Sequence, residues 1–175
     1  AWRMIMKRKA RELGLRGPDK DFWFGLFLGA ISITFIFVVL YVTGNVTLVN
    51  MVPQITMFTF SFLILFILVG FFEEMFFRGF VMQTMESRGN KKWVIYVVSA
   101  LIFSVAHGLN PNVSFFGLVN IALVGVLFAY MFDVTKSLML PIGYHITWNF
   151  FQGNVFGFPV SGTPPHGMFA VDTSG

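Results

Sequence analysis

The chain contains no cysteine. Disulfides, thiolate nucleophiles and Cys-ligated metals are therefore excluded. Charge is also scarce. Asp, Glu, Lys and Arg make up 11% of the residues, against about 25% in ordinary soluble domains. None of the four occurs from Phe22 to Gly70, from Trp93 to Phe132, or from Ser137 to Val171. Internal repeats and low-complexity tracts are absent as well. A solenoid, a coiled coil and a disordered linker all fall away with them.

What is present is apolar. Hydrophobic residues make up 56% of the 175, and 24 of them are Phe. One domain is the default for this length, and a soluble fold of this size has too little interior to hide so much apolar surface. A bilayer removes that difficulty. A spanning helix takes about 20 apolar residues. The charge-free windows then predict a first helix over about 22–43, a break at Gly44–Pro53, and a second helix from Gln54 to Glu86. A third covers about 93–108 and stops at the turn signal Asn110-Pro111-Asn112. A fourth covers about 113–132, and a fifth about 137–151, with Pro141 in or near its first turn. The expected fold class is all-α, a polytopic transmembrane helical bundle of about five spans. Residues 1–21 form a basic cytosolic segment, 22–151 the transmembrane domain, and 152–175 a Gly/Pro-rich loop or truncated tail. The chain starts at Ala1 and closes without a basic anchor, which reads as a piece of a longer protein; a signal peptide is not indicated.

The net charge of +4 raises the question of nucleic acid, and placement answers it. Seven of the twelve basic residues lie in 1–20, three more are Arg88, Lys91 and Lys92, and one is Lys136. That distribution fits juxtamembrane anchoring better than a nucleic-acid-binding face. A basic RNA-binding arm over 1–20 is the weaker reading. With the N-terminus in the cytosol, the 87–92 and 133–136 loops fall on the same side, and only Arg78 stands within a helix. The expected location is the cell membrane, multi-pass, in contact with lipid and without nucleic acid.

Ionisable groups within a bilayer are costly and are usually functional or paired. Helix two carries Glu73, Glu74 and Arg78, helix three carries His107, and helix five carries His145 and Asn149. Glu74 and Arg78 stand at i and i+4 with the acid first, the favourable order for a helical ion pair. His145 and Asn149 share a face by the same spacing. Glu73 lies 13 residues before Glu86, His107 lies 14 after Trp93, and Asn149 lies 13 after Lys136. At 1.5 Å per residue each sits about 20 Å from the same side. The spacing therefore predicts one polar layer built by three helices.

Such a set can activate water. A carboxylate beside an imidazole can take a proton from water and return it to a leaving amine, while a second His and an Asn can stabilise an oxyanion. Alternatively, Glu73, His107 and His145 form a two-His, one-carboxylate zinc ligand set. Taken singly, each motif has a simpler reading. The acid–Arg pair is commonly packing glue or part of a transport pathway, and a lone His is commonly an interhelical hydrogen-bonding residue. Phe103, one turn before His107, reads as packing, Asn120 as interhelical glue, and His166 as part of the tail. The joint occurrence of three motifs, in order and at compatible depth, favours a site.

Glu73-Glu74-Met75-Phe76-Phe77-Arg78, then Phe103-Ser104-Val105-Ala106-His107, then His145-Ile146-Thr147-Trp148-Asn149 resemble the EExxxR, FxxxH and HxxxN motifs of the CPBP family, also called the Abi or CAAX-protease-like family of intramembrane endopeptidases. The likeness covers about 70–162. It implies a helical bundle that hydrolyses peptide bonds of membrane-associated proteins or peptides, with Glu73 and His107 activating water. His145 and Asn149 would then supply the oxyanion site, supported by Glu74, Arg78 and Phe103. The family is described both as metal-free glutamate proteases and as metalloproteases. The expectation here leans to no metal, with one divalent ion such as zinc, held by Glu73, His107 and His145, as the other possibility. There is no HExxH pair and no GxSG-like serine motif, so a zincin-type site and a serine site of that kind are absent. The competing class is a non-catalytic membrane protein that keeps the motifs, such as a bacteriocin immunity factor or an ion-coupled transporter. A transporter would carry paired broken helices or inverted repeats, and the sequence has neither.

Overall fold

The computed structural model describes residues 10–50, 52–164 and 166–173. Much of the basic segment, residues 1–9, lies outside the described residues. Four long helices and a shorter fifth follow a short 3-10 turn at Ala10–Leu13. Helix α1 is Lys20–Val42. Asp19 caps it, its Oδ1 accepting from the amides of Asp21 and Phe22, as an Ncap acid should. Helix α2 runs continuously over Met57–Ser87. It begins three residues later than expected, where the Thr56 amide donates to Thr59 Oγ1. Helix α3 is Lys92–Ala106, continued by a 3-10 turn at His107–Leu109. Helix α4 is Phe115–Thr135, capped by Ser114, and helix α5 is Met139–Phe150.

Two departures from regular α-helix stand out. Met75–Met82 within α2 and Phe151–Val155 at the end of α5 are π-helical. Such widened turns are rare and gather at functional sites. The first directly follows the two glutamates, and the second carries α5 four residues beyond its expected end.

The membrane-spanning character is clear for α1 to α4, which are long and apolar enough to cross a bilayer. Their outer faces expose Phe27, Phe35, Phe60, Phe72 and Phe116 to the surroundings. Helices satisfy their own backbone groups, which is what a lipid environment demands. The fifth expected span is of another kind. Helix α5 is short, and its residues from Met139 to Ile146 are all buried. It is the central post of the bundle, and α1, α2 and α4 pack against it.

The α1–α5 contact explains how a central helix fits. At Gly25 and Gly29 a Cβ would run into the Leu140 and Tyr144 carbonyl oxygens, and at Gly143 into that of Phe22. These backbones touch directly, as small residues permit in membranes. Thr147 Oγ1 adds a hydrogen bond across the contact to the Leu26 carbonyl, at 2.8 Å.

One end of the bundle gathers charge. Lys92 pairs with Asp133, and Lys136 pairs with Asp133 and Glu86. The Lys136 ammonium is held above its ordinary pKa chiefly by its hydrogen bond to Asp133. Leu13 and Gly14 fold onto the same end, their carbonyls accepting from Gln83 Nε2 and the Leu138 amide at 2.9 Å each. At the opposite end the tail does not remain a free loop. Val171–Asp172 (β2) pairs antiparallel with Thr47–Leu48 (β1), Thr47 facing Asp172.

Candidate active site

Helix α2 delivers Glu73 and Glu74 where its geometry widens, α3 delivers His107 at its last turn, and α5 delivers His145 and Asn149. Arg78 and Glu74 are both fully buried, and Arg78 Nη1 lies 3.0 Å from Glu74 Oε1. Arg78 Nη2 donates to the Gly125 carbonyl of α4 at 2.9 Å. The guanidinium carbon lies over two rings, 4.6 Å from the centre of Phe103 and 5.0 Å from that of Phe128. Two hydrogen bonds and two aromatic faces compensate the buried cation in part, while its Nε is buried without a hydrogen-bond partner among the described residues.

Glu74 Oε1 also takes a second partner, His145 Nδ1, at 3.0 Å. Because that nitrogen faces a carboxylate oxygen, it carries the proton. His107 Nδ1 lies 2.8 Å from the Phe103 carbonyl, which can only accept, so it too carries a proton. Both rings therefore turn Nε2 inward. His107 Nε2 stands 3.7 Å and His145 Nε2 3.8 Å from one atom, Glu73 Oε2. That oxygen is buried and has no hydrogen-bond partner among the described residues. Each ring nitrogen thus stands off Glu73 Oε2 at a distance too long for a direct bond and short enough for a water to bridge.

Asn149 is buried on α5 and lines the same cavity as Glu73 and His107. All four expected catalytic residues are brought together, and the supporting residues surround them. The donor types at Glu73, His107 and His145 suit zinc, and each imidazole has its outer nitrogen fixed, as metal ligands usually do. Among the described residues no group of three His, Asp or Glu side chains stands close enough to count as a formed metal site, although both Nε2 atoms lie 3.7–3.8 Å from Glu73 Oε2.

Sequence reasoning missed several participants. Glu74 was expected to serve Arg78 alone, yet it also holds His145. Phe103 is more than packing, since its ring covers Arg78 and its carbonyl sets the His107 proton. Phe128 and Gly125 carried no signal, because their roles depend on the α4 register. Asn120 is exposed and lines a cavity rather than bridging helices. His166, read as tail, lines the cavity that holds Glu73 and stacks on Phe58 at 4.9 Å.

Fold and site together define a multi-pass helical membrane protein with two carboxylates, two imidazoles and a carboxamide gathered between its helices. The family model described as Type II CAAX prenyl endopeptidase Rce1-like matches residues 54–151, more than half of the chain, and the chain belongs to this family. Comparison with curated proteins and with solved structures gives no match.

Proposed function

We propose that this chain is an intramembrane endopeptidase that hydrolyses peptide bonds of membrane-associated proteins or peptides through a water activated by Glu73 and His107. The carrying observation is the inward convergence of His107 Nε2 and His145 Nε2 on Glu73 Oε2. A water held at this point can donate to acceptors on two sides, which turns an oxygen lone pair outward to a substrate carbonyl.

The step balances as follows. Glu73 or His107 takes one proton from water, and the oxygen attacks the scissile carbonyl carbon. The carbonyl electrons move onto oxygen, where the Asn149 amide donates. The intermediate collapses as the C–N bond breaks, and the held proton passes to the leaving amine. His145 can donate to the oxyanion from Nε2 only as the imidazolium, since Nδ1 is already committed to Glu74. A divalent ion, were one bound, would be held by Glu73, His107 and His145 and would polarise the same water.

We place the catalytic unit within 22–151 and the basic end of the bundle in the cytosol of a cell-membrane protein. The grouping of Arg88, Lys91, Lys92 and Lys136 at one end supports that orientation under the positive-inside rule. Single cysteines introduced into this cysteine-free chain at either end would report it by labelling from one side only.

The test is cleavage of a membrane-associated reporter by the protein in proteoliposomes. Glu73→Ala and His107→Ala each abolish cleavage while still inserting in the membrane; normal turnover by either variant removes the catalytic assignment.

A further inference from the structure

The segment after α5 crosses the mouth of the site. Val160 and Thr163 pair backbone to backbone, at 3.1 and 2.9 Å, in a tight turn. Asn110 Nδ2 fixes this turn to the α3–α4 loop through the Ser161 carbonyl at 3.1 Å. Farther along, the Gln54 amide donates to the Met168 carbonyl at 2.8 Å, and β2 joins β1. Residues 157–164 and 166–172 therefore form a strap tied to two interhelical loops.

Beneath the strap the site opens in two directions. A smaller cavity of about 160 Å³ lies against α2, walled by Phe62, Leu65, Phe66 and Val69. A larger one of about 660 Å³ lies between α1 and α4, walled by Ile33, Ile36, Leu123 and Val124. His107 and Asn149 line both, and so do Val160 and Ser161. Glu73 lines the smaller and His145 the larger. The volumes differ in what they can hold. An apolar cavity of about 150 Å³ takes one benzene ring, whereas a pocket of several hundred Å³ takes a drug-sized group.

Building on the peptidase reading above, we propose that a substrate lies extended under the strap. A single side chain enters the smaller cavity on one flank of the scissile bond, and the larger cavity takes bulky apolar residues of the other flank. Val160 and Ser161 are the divider, and they set the size limit of the single-side-chain subsite. Gly153 forms part of that subsite's wall: a Cβ there would stand 2.8 Å from Val160 Cγ2 and 3.6 Å from the Phe66 ring.

The experiment is cleavage profiling of a peptide library by mass spectrometry, with wild-type protein, Gly153→Ala, Val160→Ala, the double variant, and Leu123→Trp in the larger cavity. Gly153→Ala lowers kcat/KM for peptides with a large residue on one flank by about 10-fold or more, the size of effect one added methyl group has in a filled pocket, and spares those with Ala or Gly there. Val160→Ala, which only removes atoms, widens acceptance on that same flank, and the double variant restores the wild-type profile. Leu123→Trp alters acceptance on the opposite flank only. Changes on the same flank for both cavities, or unaltered profiles, overturn the divided path while leaving the peptidase reading intact. Absence of Glu73-dependent cleavage by the wild type overturns the peptidase reading and the divided path with it. A misfolded Gly153→Ala protein, recognised by its melting curve, leaves Val160→Ala and Leu123→Trp to decide between these outcomes.

Discussion

Glu74 Oε1 and His145 Nδ1 stand 3.0 Å apart, joining α2 to the buried helix at the centre of the bundle. The same oxygen receives Arg78 Nη1. One carboxylate thus neutralises the buried guanidinium and fixes the ring that faces Glu73. Folding and chemistry share a single residue here, and the two roles separate in the substitutions below.

Arg78→Ala strands Glu74 as an unmatched buried charge. Breaking such a pair destabilises by about 3–5 kcal/mol, so thermal unfolding in detergent shifts to clearly lower temperature. Arg78→Lys recovers only part of this, because a single ammonium does not reproduce the fork that reaches both Glu74 and Gly125. An unchanged melting temperature in Arg78→Ala contradicts the ion pair.

Glu74→Gln retains shape and loses the charge that orients His145. An amide in place of an orienting carboxylate costs about 10⁴ in kcat in the Ser-His-Asp case. The expectation here is a kcat loss of about 100-fold or more, with KM little changed. Kinetics that shift mainly in KM contradict an orienting role.

Asn149→Ala removes the proposed oxyanion donor. Loss of one such donor lowers kcat by about 10² to 10³-fold. Steady-state kinetics on the reporter substrate measure it, and a loss below about tenfold contradicts the assignment.

Much of this was readable in advance, for physical reasons. Charge-free windows of bilayer length give α1 to α4 directly, because lipid forbids the alternatives. Glu73, His107 and Asn149 were placed at one depth by counting residues from a common end, which works because helical rise is constant. The exact partners were not readable. Whether Glu74 meets His145 depends on helix rotation, which neither spacing nor hydropathy supplies. The π turn after Glu74 has no marker in Met75–Met82. The strap was opaque because its ties, Asn110 to Ser161 and Gln54 to Met168, join residues more than fifty apart and use backbone atoms. The direct α1–α5 contact had a usable sign in Gly25-x-x-x-Gly29, a small-residue spacing of membrane interfaces.

Removing metal separates two chemistries. Activity after exhaustive chelation, with elemental analysis of the same sample, is expected to persist at the untreated rate. Activity lost on chelation and restored by zinc contradicts the metal-free route.

The central claim is that Glu73 takes a proton from water at the point where both imidazoles converge. Glu73→Gln keeps the side chain's size and removes that capacity, so its turnover in proteoliposomes, set beside its melting temperature, is the most direct measurement. The account predicts a kcat lowered by about 10² to 10⁴-fold, the contribution of a general base, in a protein that melts like the wild type. Turnover within a few-fold of wild type would contradict it.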